Sequence, residues 1–242
     1  MSSDRKSAIW IGVLYLMATA FPAASAVPWG TLTDGEGVLV NAASHKGVLI
    51  TWALLVLVMA CAVAGIASMF YPILARVADS GVSKGLALWY VGTRITEGAL
   101  YFVTVAATMA FLPLSRELAA AGPTADAHFQ TDGVVAQWTS DLAMTLGQTI
   151  FALGCVLLYY LLWECGLVPR WLSLWGLVGA PLFLVASLSF LWTGEPNSTL
   201  ATLLFAPIFL QEMVMAVWLI VKGFDAGALA SHTEARELAQ VG

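Results

Sequence analysis

Charge is scarce in this sequence. Of 242 residues only 10% are Asp, Glu, Lys or Arg, well below the roughly 25% of a soluble domain, which excludes an ordinary water-soluble globule. Cysteine and histidine are scarcer still, at three each. Cys61, Cys155 and Cys165 form no CxxC pair and no metal spacing, and an odd count argues against a disulfide framework. They read as thiols packed like small hydrophobes. His45, His128 and His232 all fall in polar segments, which argues against a His-ligated haem or metal within the bilayer. No basic stripe points to nucleic acid. GxSxG, HExxH and Gly-rich phosphate loops are missing, as is any Ser or Cys with a nearby intramembrane His. Lys222 sits at the edge of the last apolar run, so a Schiff-base lysine is not expected either. No cofactor is expected, and no internal repeat of the transporter type is evident.

Apolar residues are abundant. They make up 60% of the chain, mean hydropathy is +0.85, and ten tryptophans suit the aromatic belts of a membrane interface. Crossing the hydrocarbon core takes roughly 20 mostly apolar residues. Six stretches qualify, at about 8–28, 48–74, 86–112, 141–164, 171–193 and 199–221. The expected fold is therefore all-α, a six-helix transmembrane bundle over 1–224 followed by a polar tail over 225–242. The first stretch imitates a cleavable signal peptide, with Arg5-Lys6 before it and Ala24-Ser25-Ala26 near its end. Its apolar character continues through Pro28-Trp29, which favours a retained span.

The basic residues fix an expected orientation. Arg5, Lys6, Arg76, Lys84, Arg170, Lys222 and Arg236 fall on one side, and only Lys46 and Arg116 on the other. By the positive-inside rule both termini face the cytoplasm. The opposite side is acidic, with Asp34, Glu36, Glu117, Asp126, Asp132, Asp141 and Glu195. The long 113–140 connection is broken at Gly122-Pro123, and "SRELAAA" and "VVAQWTS" read as short helices on the outer surface. Solvated packing is the default for such a loop, and a lid over an external cavity is the alternative.

The polar groups inside the apolar runs carry the functional signal. Tyr90, Arg94, Glu97, Tyr101, Thr104 and Thr108 recur at steps of three or four, so they form one stripe on the third span. Arg94 and Glu97, at i and i+3, are placed to pair. At about 1.5 Å per residue, Arg94, Glu97 and Glu212 lie roughly 12, 16 and 14 Å in from the same side, in one layer. The third and sixth spans are therefore expected to be adjacent, with Arg94 facing both carboxylates. Two ionised Glu against one Arg leave a negative charge, so one carboxyl keeps a proton or the site takes a cation. Such a cluster serves either as a functional site or as a lock between helices.

The fourth span adds Asp141, Thr145, Gln148, Cys155 and Tyr159 on a similar stripe, with Gln148 placed to line the upper part of the same cavity. Gln211 points roughly 100° away from Glu212 and is expected to bond another helix. Gly147, Ala152, Gly154, Gly176, Gly179 and Ala180 suit close helix packing, and Gly92 and Gly98 flank the charged pair for the same purpose.

The stretches "LALWYVGTRITEGALYFV" (86–103), "HFQT" (128–131), "LLYYLLWECGLVPRWLSLWGLVG" (157–179) and "LFAPIFLQEMVMAVWLIVKGF" (204–224) resemble the bacterial membrane family known as domain of unknown function 4386. The resemblance extends through "AVAGIASMFYPILAR" (62–76). Its most specific pieces are RxxEG in the third span and LQEMVxAVWLIVKGF in the sixth. In the family pattern the second span often carries an acidic residue near position 56, where this chain has Val56. The resemblance implies a six-helix inner-membrane protein, places Arg94, Glu97, Gln211 and Glu212 within family motifs, and brings no catalytic residue, substrate or cofactor.

The favoured reading is a multi-pass membrane protein that binds a small or amphipathic ligand or lipid at Arg94, Glu97 and Glu212, lined by Tyr90, Tyr101 and Gln148. The alternative is a scaffold or accessory subunit, partnered by another membrane protein or a second copy, whose charges only lock the bundle. An intramembrane enzyme using Glu97 and Glu212 as acid and base lacks an identifiable nucleophile.

Overall fold

The computed structural model describes residues 2–78, 80–121, 126–194 and 199–232, with the side chains of 126 and 127 left out. Gly122-Pro123, Glu195, Arg236 and most of the polar tail lie outside the described residues, as does the side chain of Asp126.

Among the described residues there is no strand, and the helices are α1 (Ser3–Thr33), α2 (Val38–Ser44), α3 (Lys46–Val77), α4 (Gly81–Met109), α5 (Phe111–Ala121), α6 (Asp126–Cys165), α7 (Arg170–Thr193) and α8 (Thr199–Val221), followed by helical residues at 226–232. Six are long and apolar enough to cross a membrane, namely α1, α3, the α4–α5 stretch, α6, α7 and α8. In lipid every backbone N–H and C=O must be satisfied within the segment, which is why apolar stretches of this length become helices. Their ends carry local signals. Ser2 Oγ accepts from Arg5 N at 3.3 Å and Ser80 Oγ from Ser83 N at 3.0 Å. Gly166 (φ 64°) and Gly194 (φ 68°) end α6 and α7 in left-handed conformations open to glycine.

The long helices pack in chain order, α1 on α3, α3 on α4, α4 on α6, α6 on α7 and α7 on α8, and α8 closes back onto α1. The result is an up-and-down ring of six helices around a lumen. Leu88, Trp89, Val103, Leu153, Val185 and Val217 are exposed on its outside, an apolar surface of the kind that faces lipid.

The two halves of the lumen differ. At the end carrying Arg5, Lys6, Arg76, Lys84, Arg170 and Lys222 (the basic end), it is filled. Ile11, Tyr15, Phe70, Tyr90, Leu158, Tyr159, Leu172 and Leu219 belong to one continuous buried cluster there, joined by Phe224 just beyond α8. This plug is pinned at its rim. Arg5 Nη1 donates to Leu219 O at 2.9 Å and its Nη2 to Ile220 O at 2.5 Å and Val221 O at 3.2 Å, capping the last carbonyls of α8 with a cation. Arg76 pairs with Asp4 at 2.7 Å. At the opposite end α2 and α5 pack on each other, with Leu32, Val38, Leu39, Leu49 and Phe111 between them and the bundle.

Two sequence expectations change here, and one element, α2, is not foreseen in the sequence. The "VVAQWTS" stretch is not a separate surface helix, because α6 runs unbroken from Asp126 to Cys165. Gln137, Ser140 and Asp141, roughly three to four turns into it, line the bundle interior, whereas His128 and Gln130 nearer its start are exposed. The seven-residue α2 is too short for a periodicity signal. Cys61 is exposed on α3, whereas Cys155 and Cys165 are buried.

Candidate functional site

The stripe on α4 faces the lumen. Tyr90, Thr93, Arg94, Glu97, Tyr101, Thr104 and Thr108 are all buried, while Leu88, Trp89, Ile95 and Phe102 on the other faces of α4 are exposed. Polar side chains within an apolar span turn inward because hydrocarbon gives them no partner. Towards its far end the stripe makes a seam with α6, where Thr108 Oγ1 and Ser140 Oγ share a hydrogen bond of 2.8 Å.

Halfway along α4 the three expected charges meet. Arg94 Nη1 donates to Glu97 Oε2 at 3.0 Å, and Arg94 Nη2 stands 3.7 Å from Glu212 Oε1. The second separation is an ion pair but too long for a direct hydrogen bond. The guanidinium is held on its other side by aromatic rings, with Cζ 4.7 Å from the Phe151 centroid and 5.6 Å from that of Tyr90. Arg94 and Glu97 side chains are 1% and 2% exposed, Glu212 11%. Glu212 is thus the member of the cluster that looks out. The helices bearing these charges are not packed neighbours, contrary to expectation. α4 and α8 face each other across the ring, and the length of the Arg94 side chain spans the gap.

Above this layer, away from the basic end, the lumen opens into a cavity of about 800 Å³. Arg94, Glu97 and Glu212 form its floor, and its walls come from all six long helices. No described residue of α2 or α5 lines it, whereas Gln137 and Ser140, at the end of the 113–140 stretch, do. Tyr101 and Gln148 line it, and the Tyr101 hydroxyl addresses Glu97. Asp141 does so too. It sits half-buried inside the bundle rather than on the outer surface, and accepts from Gln137 Nε2 at 2.9 Å. Ser140, Thr145, Ser187 and Thr202 add hydroxyls, and Trp29, Trp52, Phe205 and Phe209 add aromatic surface. Val56, where the family pattern often has an acid, is a buried wall residue.

Tyr90 does not line the cavity. It lies one turn below Arg94, fully buried in the plug against Phe70, with ring centroids 6.4 Å apart. A stripe fixes direction around a helix but not which neighbours fill the space at each depth. The hydroxyls of Tyr15 and Tyr90 and the Nε of Arg94 have no hydrogen-bond partner, which marks the underside of the floor as a polar spot in an apolar core. Cys155 and Tyr159 also belong to the plug.

Gln211 does bond other helices. Tyr159 Oη donates to Gln211 Oε1 at 2.6 Å, and Gln211 Nε2 donates to Leu172 O at 3.2 Å, which ties α6, α7 and α8 together. Several small residues admit close neighbours, as Gly98 does for the Ala60 carbonyl of α3 and Gly154 for Thr93 of α4. Gly92 does not. A Cβ there would meet nothing within 4 Å, so it faces outward.

The family model described as Domain of unknown function (DUF4386) matches residues 10–223, which covers every long helix. The chain belongs to the DUF4386 family. No curated protein and no solved structure matches it. The DUF4386 match takes in both charged stretches of the cavity floor, Arg94–Glu97 on α4 and Gln211–Glu212 on α8. Within this DUF4386 chain no cluster of His, Cys, Asp and Glu suited to a metal occurs among the described residues.

Proposed function

We propose that this protein is a multi-pass inner-membrane protein that binds a small or amphipathic ligand inside its helix ring, as a sensor or transporter-like element. One observation carries the reading. The charged layer is not sealed in packing but forms the floor of a cavity of about 800 Å³, within the 300–1,000 Å³ range of ligand pockets. A few polar groups converging on a largely apolar, aromatic enclosure is the usual design of such a site.

The three charges divide the work. Arg94 and Glu97 are hydrogen-bonded and shielded, and they hold the floor together. Glu212, in looser contact and partly open to the cavity, contacts the ligand. Tyr101, Gln148 and Asp141 line the space above. The scaffold reading draws on the same buried Arg94–Glu97 pair, since a pair that closed to solvent serves a lock equally well. It leaves the cavity above unused.

The basic residues gather where α1 starts and α8 ends, so both termini are assigned to the cytoplasm and the cavity to the opposite leaflet. Native mass spectrometry of the purified protein, comparing wild type with Glu97→Gln and Glu212→Gln, tests the binding reading. A co-purifying molecule retained by wild type and depleted in Glu212→Gln is expected. Equal retention of every co-purifying molecule by all three proteins counts against it.

A further inference from the structure

The exposed part of the cavity wall is confined to one place. Of the lining residues, only Ala23, Ala26 and Thr33 on α1 and Thr202 and Phe205 on α8 are exposed; those on α3, α4, α6 and α7 are buried or half-buried. These two helices meet closely near the basic end, where Gly12 lies against the Ala216 carbonyl and Ile220. Further along they part. None of the first nine residues of α8, Thr199 to Pro207, is buried. The cavity therefore opens sideways through a slot between α1 and α8, at the depth of the apolar band rather than only through the end of the ring.

The chemistry of the lining selects a charge. Among the described residues four Asp, Glu, Lys, Arg or His side chains face the cavity, namely the carboxyls of Glu97, Asp141 and Glu212 and the guanidinium of Arg94. No Lys or His is among them. Arg94 is already engaged by Glu97 at 3.0 Å and stacked on Phe151, so it offers little to an anion. Glu212 meets Arg94 only at 3.7 Å and keeps surface open to the cavity. Above it stand aromatic faces, Phe205 and Phe209 on α8 and Trp29 on α1, which attract cations. An anion would meet two or three carboxylates and one occupied cation, whereas a cation completes the balance.

We infer that the ligand is an amphipathic organic cation, an amine or quaternary ammonium with an apolar tail, that enters from the bilayer through the α1–α8 slot and seats its head on Glu212. This rests on the binding reading above and names the chemical class that the site takes. The slot lets the tail remain against α1 and α8, partly in lipid, while the head reaches the floor.

Three single-chain probes of equal tail length separate the possibilities: decyltrimethylammonium, decyl sulfate and decanol, titrated onto the full chain in non-ionic micelles and read by native mass spectrometry. A saturable adduct of one decyltrimethylammonium per chain is expected, at least about tenfold tighter than either other probe, since a charge pair near 4 Å in a protein site exceeds that factor. Glu212→Gln should remove most of that preference, and Ala26→Trp, which narrows the slot, should weaken the ammonium adduct several-fold. The ranking on wild type stands even if Glu212→Gln fails to fold. Saturable binding of decyl sulfate or decanol at equal strength would overturn the cation assignment and leave the binding reading intact. No saturable adduct with any probe would remove both.

Discussion

Replacing each carboxylate of the cluster by its amide should have unequal consequences. Raw attraction does not separate the two. At an effective dielectric of 20, charges 3.0 and 3.7 Å apart attract by about 5.5 and 4.5 kcal/mol, nearly the same. The difference lies in hydrogen bonding and solvation. Glu97→Gln removes a charge-assisted hydrogen bond of 3.0 Å from a pair 1% and 2% exposed, and leaves Arg94 with a partner it does not directly bond. Breaking one side of such a buried pair costs about 3 kcal/mol or more. Glu212→Gln leaves the Arg94–Glu97 bond in place and relieves the cost of burying a second carboxylate, so it should cost about 1 kcal/mol or less. The assay is sodium dodecyl sulfate unfolding in mixed micelles followed by circular dichroism, with ligand retention measured on the same preparations. Glu97→Gln should unfold at clearly lower detergent fraction, while Glu212→Gln should fold nearly normally and lose the ligand. Equal losses of stability, or the reverse order, would refute the division of labour and make the three charges a single lock.

Further outcomes follow from particular contacts. Gly176→Ala should destabilise by about 1–3 kcal/mol through overpacking, because its new Cβ would fall 2.6 Å from Tyr159 Cε2 and closer still to Cδ2. The matched control Gly92→Ala, with nothing within 4 Å, should be neutral or slightly stabilising in the same unfolding titration. Tyr159→Phe should cost about 1–3 kcal/mol by leaving the buried Gln211 Oε1 without its donor, and equal stability would show that the amide finds another partner. Arg5→Ala should lower stability by about 1–2 kcal/mol through loss of the cap on α8, a loss that Arg5→Lys restores only in part. Exchanging charges with Arg94→Glu and Glu212→Arg together should recover part of the folding lost in either single variant, and failure to do so would break the inference that these two residues face each other.

Much of this architecture is legible in the sequence because hydrocarbon imposes blunt rules. Six apolar stretches become six long helices, and the polar stripe on α4 turns inward because Arg94 and Glu97 have nowhere else to go. The common depth of Arg94, Glu97 and Glu212 follows from a rise per residue alone. What resisted reading depends on lateral packing. Contact between Arg94 and Glu212 does not require α4 and α8 to be packed neighbours, because a long side chain reaches across a lumen. Tyr90 shares the direction of Arg94 but sits where Tyr15, Phe70 and Tyr159 close the space. The cavity itself is the gap that six helices leave between them, and no single segment encodes it. Polarity over 126–140 suggested an end to the fourth span, yet the helix continues because Gln137, Ser140 and Asp141 turn towards a polar interior.

The ring also has a topological seam. Five of its six helix–helix contacts join long helices consecutive in the chain, each fastened by a connection, whereas α1 and α8 are the two ends of the run and are held by packing and the Arg5 clamp. That contact cannot form until α8 has been made, since it joins the first long helix to the last of the six. Until then Arg94 and Glu97 line a half-pipe that is one wall short. In the finished protein the side opening inferred between α1 and α8 lies on this same seam, beyond the end that Arg5 clamps. An opening placed there interrupts no connection between consecutive helices, which is a consequence of the chain's connectivity alone.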